Sequence, residues 1–280
     1  MKKLIITADD YGMSQAVNRA IDEGIDNGVI TSTNVMTNMP FWQEAEHLKE
    51  TKASIGLHWN LTCGFPVSDK KEIRSLVRDD GEFHSYDDFR ARFREGQIDR
   101  EDILRELKAQ YNLFRELIGE PEYWNTHENC HVDFKIFQLF VETARSLKIN
   151  KMRSHQRIYV NPKEGKGSYS LKWRIMEPVK SRILDSWQNQ AHRQGIASPD
   201  GRICCLEDSD SHDLPYVLNN IQWKNKTVAE YAFHPATTCD SRFFGEMTEN
   251  RIIEYHIAVD SKVPEYIRNS GIQLVNFEAV

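Results

Sequence analysis

The chain has 280 residues, of which 40% are hydrophobic, and this is enough apolar material for one sizeable core. Its formal net charge of −6, with lysine and arginine scattered along the chain, excludes a nucleic-acid-binding surface. No apolar stretch reaches membrane length, and no signal cleavage site follows the apolar N-terminal residues, so we expect a cytoplasmic protein with no membrane partner.

The first predicted element is a buried strand at residues 4–8, which ends in two adjacent carboxylates, Asp9 and Asp10. Neighbouring residues of a strand point to opposite faces, so the two carboxylates can share a site only if the backbone turns, and Gly12 can supply that turn. Two adjacent acids stay ionised at low cost only beside a cation or several donors, which favours a metal site. The alternative is that the pair caps a helix that begins near Ser14.

Residues 14–28 have the apolar period of a helix, and the β-branched residues at 30–37 predict a second strand. A short helix at 41–50 and a third strand at 54–62 follow. Residues 65–98 are charged and aperiodic, so we interpret them as an inserted excursion that serves the site or a subunit contact. After it, the pattern predicts a helix at 99–118, a strand at 122–126, a helix at 133–147 and a short segment at 149–153.

The second half of the chain has a weaker pattern, with a loop at 161–170, helices at 171–193 and 246–258, and strands at 202–206, 227–233 and 272–277. Strands that alternate with helices indicate parallel strands joined by right-handed crossovers. This arrangement is either an open doubly wound sheet or a closed barrel. The pattern contains about seven or eight strand–helix units, and this number fits a barrel better. We therefore predict one α/β domain over residues 1–280.

Polar residues stand at the C-terminal ends of the predicted strands: Asp9, Asp10, His58, His127, Arg153 and His234. In a parallel barrel these ends form the face that carries active sites. A single histidine at such a place is more often a structural residue than a ligand. Two imidazoles and one carboxylate with open coordination positions, however, form a recurrent hydrolytic metal site. An adjacent aspartate can take a proton from a bound water, and a histidine can give one to a leaving group.

Four motifs occur in order along the chain: Ala8-Asp9-Asp10-Tyr11-Gly12, Gly56-Leu57-His58-Trp59-Asn60-Leu61-Thr62, Thr126-His127 with His131, and Glu230-Tyr231-Ala232-Phe233-His234-Pro235. In order and spacing they resemble the YdjC-like carbohydrate deacetylases, which include the chitooligosaccharide deacetylases. The resemblance covers essentially the whole chain. It implies a distorted seven-stranded (β/α) barrel, akin to that of the polysaccharide deacetylases, and a metal-dependent hydrolase that removes N-acetyl groups from short amino sugars.

The resemblance also implies roles for individual residues. Asp10, His58 and His127 would hold a divalent metal. Asp9 would be the general base and His234 the general acid, while Arg153 would orient Asp9 or the substrate. Relatives usually have an Asp-Ser pair followed by a histidine-rich run, whereas this chain has Asn125-Thr126-His127-Glu128-Asn129-Cys130-His131. This departure predicts a difference in substrate choice or in metal affinity.

Imidazole-rich coordination favours zinc, cobalt or manganese, whereas the resemblance implies magnesium. We expect a small N-acetylated sugar as the binding partner. We also expect a homodimer, because dimers are the commonest oligomers. Candidate sugar-stacking residues are Trp42, Trp59, Phe65 and Trp173. Two alternatives stay open, namely a barrel metal hydrolase that acts on another amide or a phosphoester, and a sugar-binding relative without turnover. A phosphoesterase would require more cations at the site than Arg153 alone supplies.

Overall fold

The computed structural model describes residues 1–131, 133–163, 171–205, 212–239 and 248–280, with the backbone alone for 171–175 and 248. The strands are β1 (Lys2–Tyr11), β2 (Ser32–Val35), β3 (Ser54–Trp59), β4 (Trp124–Thr126), β5 (Arg157–Tyr159), β6 (Gly201–Cys204), β7 (Val228–Phe233) and β8 (Ile272–Leu274). The α-helices are α1 (Gln15–Asp26), α2 (Tyr86–Arg94), α3 (Arg100–Leu117), α4 (Phe134–Ser146), α5 (Leu171–Arg193), α6 (Leu214–Asn220), α7 (Thr248–Val259) and α8 (Val263–Asn269). Short 3-10 helices lie at Trp42–Glu50, His127–Asn129 and Phe277–Ala279.

All named strands pair in parallel, in the order β4-β3-β2-β1-β7-β6-β5, and β8 pairs with the first residues of β1. The chain between β4 and β6 brings the two edges of this sheet together. Met152 forms a parallel bridge with Trp124 on β4, and Arg157, five residues later, pairs with Arg202 on β6. The sheet therefore curls into a distorted barrel, which confirms the predicted fold class.

The register explains which side chains share the barrel interior, because residues in register on neighbouring parallel strands point to the same side of the sheet. The paired residues of the inner face are Ile5 with Glu230, Thr7 with Ser32, Asn34 with Gly56, and His58 with Asn125. Most of these residues are polar. The inner face is therefore a place for hydrogen bonds and charges, and the apolar core lies mainly between the sheet and the helices.

The apolar residues divide accordingly into two clusters. Leu4 and Ile6 point outward from β1 into the large core that the helices cover. Ile5 points inward and closes the lower end of the barrel together with Tyr123 and Phe277. The rings of Tyr123 and Phe277 stack with their centroids 3.6 Å apart. This apolar plug lies at the opposite end of the barrel from the one where the strands finish.

The inserted residues 65–98 contain α2 and contact α3 through the carboxylates of Glu106, which is buried, and Asp102, which is partly buried. Glu106 accepts hydrogen bonds from the backbone N–H groups of Val67 and Ser68, each at 2.9 Å. Asp102 accepts from the backbone N–H of Ser75 at 3.0 Å. The excursion is thus fixed to the outer helix layer by hydrogen bonds to its backbone.

Most predicted elements are confirmed within a few residues. The sequence pattern did not predict β5, α6 or α8, which are short elements of three to seven residues. The helical pattern of 171–193 is confirmed by α5. No helix in the described ranges combines the length and the apolar character that a membrane span requires.

Gly56 lies on the inner face, and its close packing predicts that a larger residue there would lower stability. An added Cβ at Gly56 would lie 2.5 Å from Cζ of Tyr123. That ring is held by hydrogen bonds of its hydroxyl with Ser32 and Thr33, so it cannot move aside freely. We expect Gly56→Ala to lower the free energy of unfolding by about 1–3 kcal/mol, measured by urea titration. An unchanged unfolding midpoint would contradict this packing.

Candidate active site

Asp9 and Asp10 lie at the upper end of β1, where the strand is irregular. Asp10 has a φ of 73°, and the pairing with β2 shifts between Ala8 and Tyr11. Aspartate is one of the few residues that adopt this left-handed conformation at modest cost. The bend lets Asp9 keep the inner face while Asp10 turns toward the same cavity. The turn that the sequence suggested at Gly12 thus begins two residues earlier.

The capping interpretation of this carboxylate pair is wrong. The N-cap of α1 is Ser14, whose side-chain oxygen accepts a hydrogen bond from the backbone N–H of Val17 at 3.2 Å. Both aspartates are instead buried and contact basic side chains. They are therefore available to the site rather than to the helix.

Asp10, His58 and His127 form a compact group in which one potential ligand atom from each residue lies within 4.8 Å of the others. Oδ1 of Asp10 lies 3.3 Å from Nε2 of His58 and 2.9 Å from Nδ1 of His127. Oδ2 of Asp10 instead accepts a hydrogen bond from Nη2 of Arg251 at 2.6 Å. One oxygen of Asp10 thus faces the two histidines, and the other is held by the guanidinium of Arg251.

The charges within this group are coupled. Burial alone would lower the pKa of His127, but the adjacent carboxylate of Asp10 outweighs it and raises that pKa to about 10. Burial would likewise raise the pKa of Asp10, but Arg251 and His127 hold it well below its usual value. One carboxylate and two imidazoles around a common point fit a divalent metal ion. The proton on His127 must leave when such an ion binds.

The side-chain amide of Asn125 lies 2.5 Å from Nδ1 of His58 and can face it in two ways. With its oxygen toward His58, Asn125 accepts the Nδ1 hydrogen and leaves the Nε2 lone pair free for a metal. With its nitrogen toward His58, its oxygen accepts from Asn34 at 2.9 Å and from Arg153 at 3.0 Å. Metal ligation requires the first orientation, because a ligating Nε2 carries no hydrogen.

Asp9 is held as a carboxylate by a buried arginine. Nη1 and Nη2 of Arg153 lie 2.5 Å and 2.7 Å from its two oxygens, and Nδ2 of Asn34 donates to it at 2.6 Å. Burial would raise the pKa of Asp9, but the charge and hydrogen bonds of Arg153 outweigh burial and hold this pKa well below its usual value. Nε of Arg153 also donates to Glu230 at 2.9 Å. Arg153 thus contacts both oxygens of Asp9 and restricts the orientation of this carboxylate.

His234 follows β7 and faces Asp9 across the cavity. Its Nε2 lies 3.6 Å from Oδ2 of Asp9, and its Nδ1 lies 3.9 Å from Oε2 of Glu254. Burial lowers the pKa of His234 to about 4, although Asp9 and Asp10 oppose this shift. Burial also raises the pKa of Glu254 to about 7. His234 is therefore a neutral imidazole at pH 7 and can accept a proton.

These residues surround one cavity, which we call the metal cavity, with a volume of about 380 Å³. The structure brings all six predicted site residues to it: Asp9, Asp10, His58, His127, Arg153 and His234. His131 lies apart from the metal group, because its ring contacts Thr126 and His155. Asp9 is not one of the three grouped ligands. The group that fits a metal ion is therefore distinct from Asp9.

A known protein family matches nearly the whole chain. The family described as YdjC-like protein matches residues 3–269. The chain belongs to the YdjC-like family. It is 26% identical to a carbohydrate deacetylase of Thermoanaerobacter pseudethanolicus, over 99% of this chain and 98% of the relative. It is 28% identical to a carbohydrate deacetylase of Clostridium beijerinckii, over 99% of this chain and 100% of the relative.

A solved structure agrees with this assignment. A protein of Enterococcus faecalis V583, named as a cellobiose-phosphate cleavage protein, has 25% sequence identity and a TM-score of 0.76. The match covers 99% of this YdjC-like chain and 98% of the solved one. The two proteins therefore share the whole fold.

The aromatic residues expected to stack on sugars are placed differently. Trp59 is fully buried and packs against Trp124 and Phe140, so it is a core residue and that prediction is wrong. Phe65 is 56% exposed. Trp42 is partly buried against the core, and the side chain of Trp173 lies outside the described residues.

Sequence reasoning missed several residues that contact the site. Glu230 had a detectable signal, because a carboxylate inside an apolar buried strand requires a cationic partner. Asn34 and Asn125 had a weaker signal in the alternating polar positions of β2 and β4. Arg251 and Glu254 lie on α7, and their sequence spacing gave no indication of the site. Their role depends on how α7 docks beside the end of β7.

Metal affinity of this YdjC-like protein should depend on pH. Below about pH 10 a metal ion must displace the proton of His127, so we expect apparent affinity to rise about tenfold for each pH unit near neutrality. Calorimetry in buffers of different ionisation enthalpy should show about one proton released for each ion bound. His127→Asn should bind more weakly and with a shallower pH slope. Affinity that does not change with pH would contradict the proposed ligand set.

Proposed function

We propose that the protein is a metal-dependent carbohydrate deacetylase that removes N-acetyl groups from short amino-sugar oligosaccharides. The observation that carries this proposal is the Asp9–Arg153 ion pair beside the Asp10, His58 and His127 group in one cavity. Relatives that match nearly the whole chain are named carbohydrate deacetylases, which supports the same activity. We extend the proposal to residues 1–280 as one catalytic domain.

The proposed chemistry assigns the metal ion to Asp10, His58 and His127. A bound divalent ion supplies Lewis acidity for the acetyl carbonyl and for the attacking water. Asp9 accepts the proton that this water loses, and Arg153 fixes the carboxylate in position for it. Because Arg153 keeps Asp9 ionised, the base is ready at neutral pH.

His234 completes the proton transfer in this proposal. A neutral imidazole cannot act first as an acid, so His234 must receive a proton during the reaction. The hydrogen bonds from Arg153 favour the carboxylate form of Asp9, so a proton that Asp9 accepts is readily passed on. The 3.6 Å separation between them permits transfer from Asp9 to His234. His234 then protonates the departing sugar amine, and acetate and the free amine are the products.

For the metal, we propose Mg²⁺ by family resemblance and regard Zn²⁺ as physically plausible. Two imidazoles in the donor set favour Zn²⁺, whereas Mg²⁺ prefers oxygen ligands. The cytoplasmic location and the homodimer expected from the sequence stay predictions.

The alternatives require other chemistry. A phosphoesterase needs free cations, and the metal cavity does contain Arg202 and Arg251 besides Arg153. Arg153 and Arg251, however, contact Asp9 and Asp10, so much of their charge is compensated. A sugar-binding relative without turnover requires neither an ionised Asp9 nor His234 opposite it.

The direct test is acetate release by the metal-loaded protein. We expect acetate from diacetylchitobiose or from another member of a panel of N-acetylated mono- and disaccharides. Release should stop on chelation and resume when metal is restored. Bound metal without acetate from any amino sugar would contradict the deacetylase proposal.

Two isosteric variants distinguish the neighbouring aspartates. Asp9→Asn should lower kcat by about 10²–10⁴-fold while metal content stays near normal, because Asp9 is the base and not a ligand. Asp10→Asn should lower metal affinity by about 100-fold or more, measured by metal competition. Loss of metal in Asp9→Asn would mean that the two roles are exchanged.

A further inference from the structure

Helix α7 presents two charged side chains, Arg251 and Glu254, to the end of β7. The two residues are three positions apart, so they lie on the same face of the helix. Both side chains are buried. A buried charge is costly unless it is paired or hydrogen-bonded, and both of these side chains find partners beside the metal cavity.

The backbone of His234 is contacted by both of these side chains. Oε2 of Glu254 accepts a hydrogen bond from the backbone N–H of His234 at 2.5 Å. Nη1 of Arg251 lies 3.5 Å from the backbone oxygen of the same residue. Two residues later, the backbone N–H of Ala236 donates to the carbonyl oxygen of Arg251 at 3.2 Å. His234 is thus fixed by α7 just beyond the end of β7.

Helix α7 is itself fixed to the barrel. The hydroxyl of Tyr255 donates to Oε2 of Glu23 on α1 at 2.6 Å. Nη2 of Arg251 donates to Oδ2 of Asp10 at 2.6 Å, which joins the helix to the end of β1. Contacts on both sides therefore hold Glu254 at one place beside His234.

The imidazole of His234 lies between two carboxylates. Its Nε2 lies 3.6 Å from Oδ2 of Asp9, and its Nδ1 lies 3.9 Å from Oε2 of Glu254. Both distances exceed hydrogen-bond length, so the two carboxylates act on the ring through their charge. Arg153 contacts both oxygens of Asp9 and compensates much of that charge. Glu254 therefore has more influence on the ring hydrogen, and its charge favours this hydrogen on Nδ1.

From this arrangement we propose that Glu254 is a positioning residue, which fixes the backbone of His234 and directs its ring hydrogen to Nδ1, so that the lone pair of Nε2 faces Asp9. The inference rests on the proposed function, in which Nε2 receives a proton from Asp9 and passes it to the departing amine. A carboxylate that faces the Nδ1 hydrogen also stabilises the imidazolium that forms between these two transfers. Glu254 accepts no proton from the substrate in this role.

The charge of Glu254 depends on pH near neutrality. Burial raises its pKa to about 7, although the hydrogen bond from His234 and the charge of Arg251 oppose this shift. Glu254 is therefore ionised above this pH and protonated below it. The titratable and charged groups that face it are His234 and Tyr231 on the β7 side, Asp9 and Asp10 at the end of β1, and Arg251 on α7. In the metal-loaded protein the transition lies at or below pH 7, because a bound cation near Asp10 favours the carboxylate.

The ring hydrogen of His234 can be located by NMR of the full-length protein labelled with ¹⁵N-histidine and loaded with Zn²⁺ or Mg²⁺. The signals are assigned by their loss in His234→Gln. At about pH 8, where Glu254 is ionised, we expect the hydrogen on Nδ1. Glu254→Gln keeps an oxygen for the backbone N–H but removes the charge, so the hydrogen should shift toward Nε2.

This measurement needs no turnover, so it tests the positioning role even if no amino sugar releases acetate. A hydrogen on Nε2 in the unaltered protein, or the same tautomer in both proteins, would overturn the proposal. The unaltered protein decides the question if Glu254→Gln does not fold.

Kinetics at saturating metal connect the tautomer to the reaction. We expect kcat of the unaltered protein to fall as the pH drops through the transition of Glu254. Glu254→Gln should lower kcat by about 10–100-fold, with KM and metal content near normal, and should lack this transition. Glu254→Asp keeps the charge and should recover part of kcat together with the transition.

The matched control is Glu249→Gln, which removes the same charge from an exposed position in the first turn of α7. It should leave both kcat and the pH profile unchanged. Full kcat in Glu254→Gln, or equal losses in the two glutamine variants, would overturn the role of Glu254 while leaving deacetylation intact.

Discussion

The guanidinium of Arg153 inside the barrel is the constraint on which the rest of the site depends. It contacts Asp9 on β1 and Glu230 on β7. Arg153 also directly follows Met152, which forms a bridge with Trp124 on β4. Removal of one partner of a buried ion pair typically costs about 3–5 kcal/mol, because an unpaired charge stays in the interior. These charges therefore tie the strands of the upper barrel to one arrangement, which fixes where Asp9 points.

The metal group follows from the same polar interior. Asp9, Asn34, His58 and Asn125 belong to one inward-facing set, so their hydrogen bonds orient one another. Asp10 leaves the regular alternation of β1 through its left-handed backbone and joins the cavity from the side. Arg251 then holds one oxygen of Asp10, so the other is directed at the two histidines. The proposed division of roles, with Asp10 as the metal ligand and Asp9 as the base, thus depends on one backbone bend.

Much of this arrangement could be predicted from the sequence, because parallel strands place their C-terminal ends on one face. From that rule, the sequence alone predicts that five residues lie together, and all of them line the metal cavity: Asp9, Asp10, His58, His127 and His234.

Prediction from the sequence failed where the local hydrophobic pattern is weak. Strand β5 has three residues and only one of them is fully buried, so no periodicity marks it. Arg251 and Arg202 enter the site through helix docking and barrel closure, which no short sequence window encodes. Trp59 shows the opposite error, since a residue beside a ligand in sequence points to the other face of the strand.

The central claim is that Asp10, His58 and His127 bind one ion while Asp9 remains outside its coordination. Anomalous diffraction from crystals soaked in Mn²⁺ or Zn²⁺ tests this claim most directly. The account predicts a single strong peak within about 2.0–2.2 Å of one oxygen of Asp10 and one nitrogen of each histidine, with Asp9 still paired with Arg153. A peak coordinated by Asp9, or an ion bound at another place while these three side chains keep their positions, would contradict it.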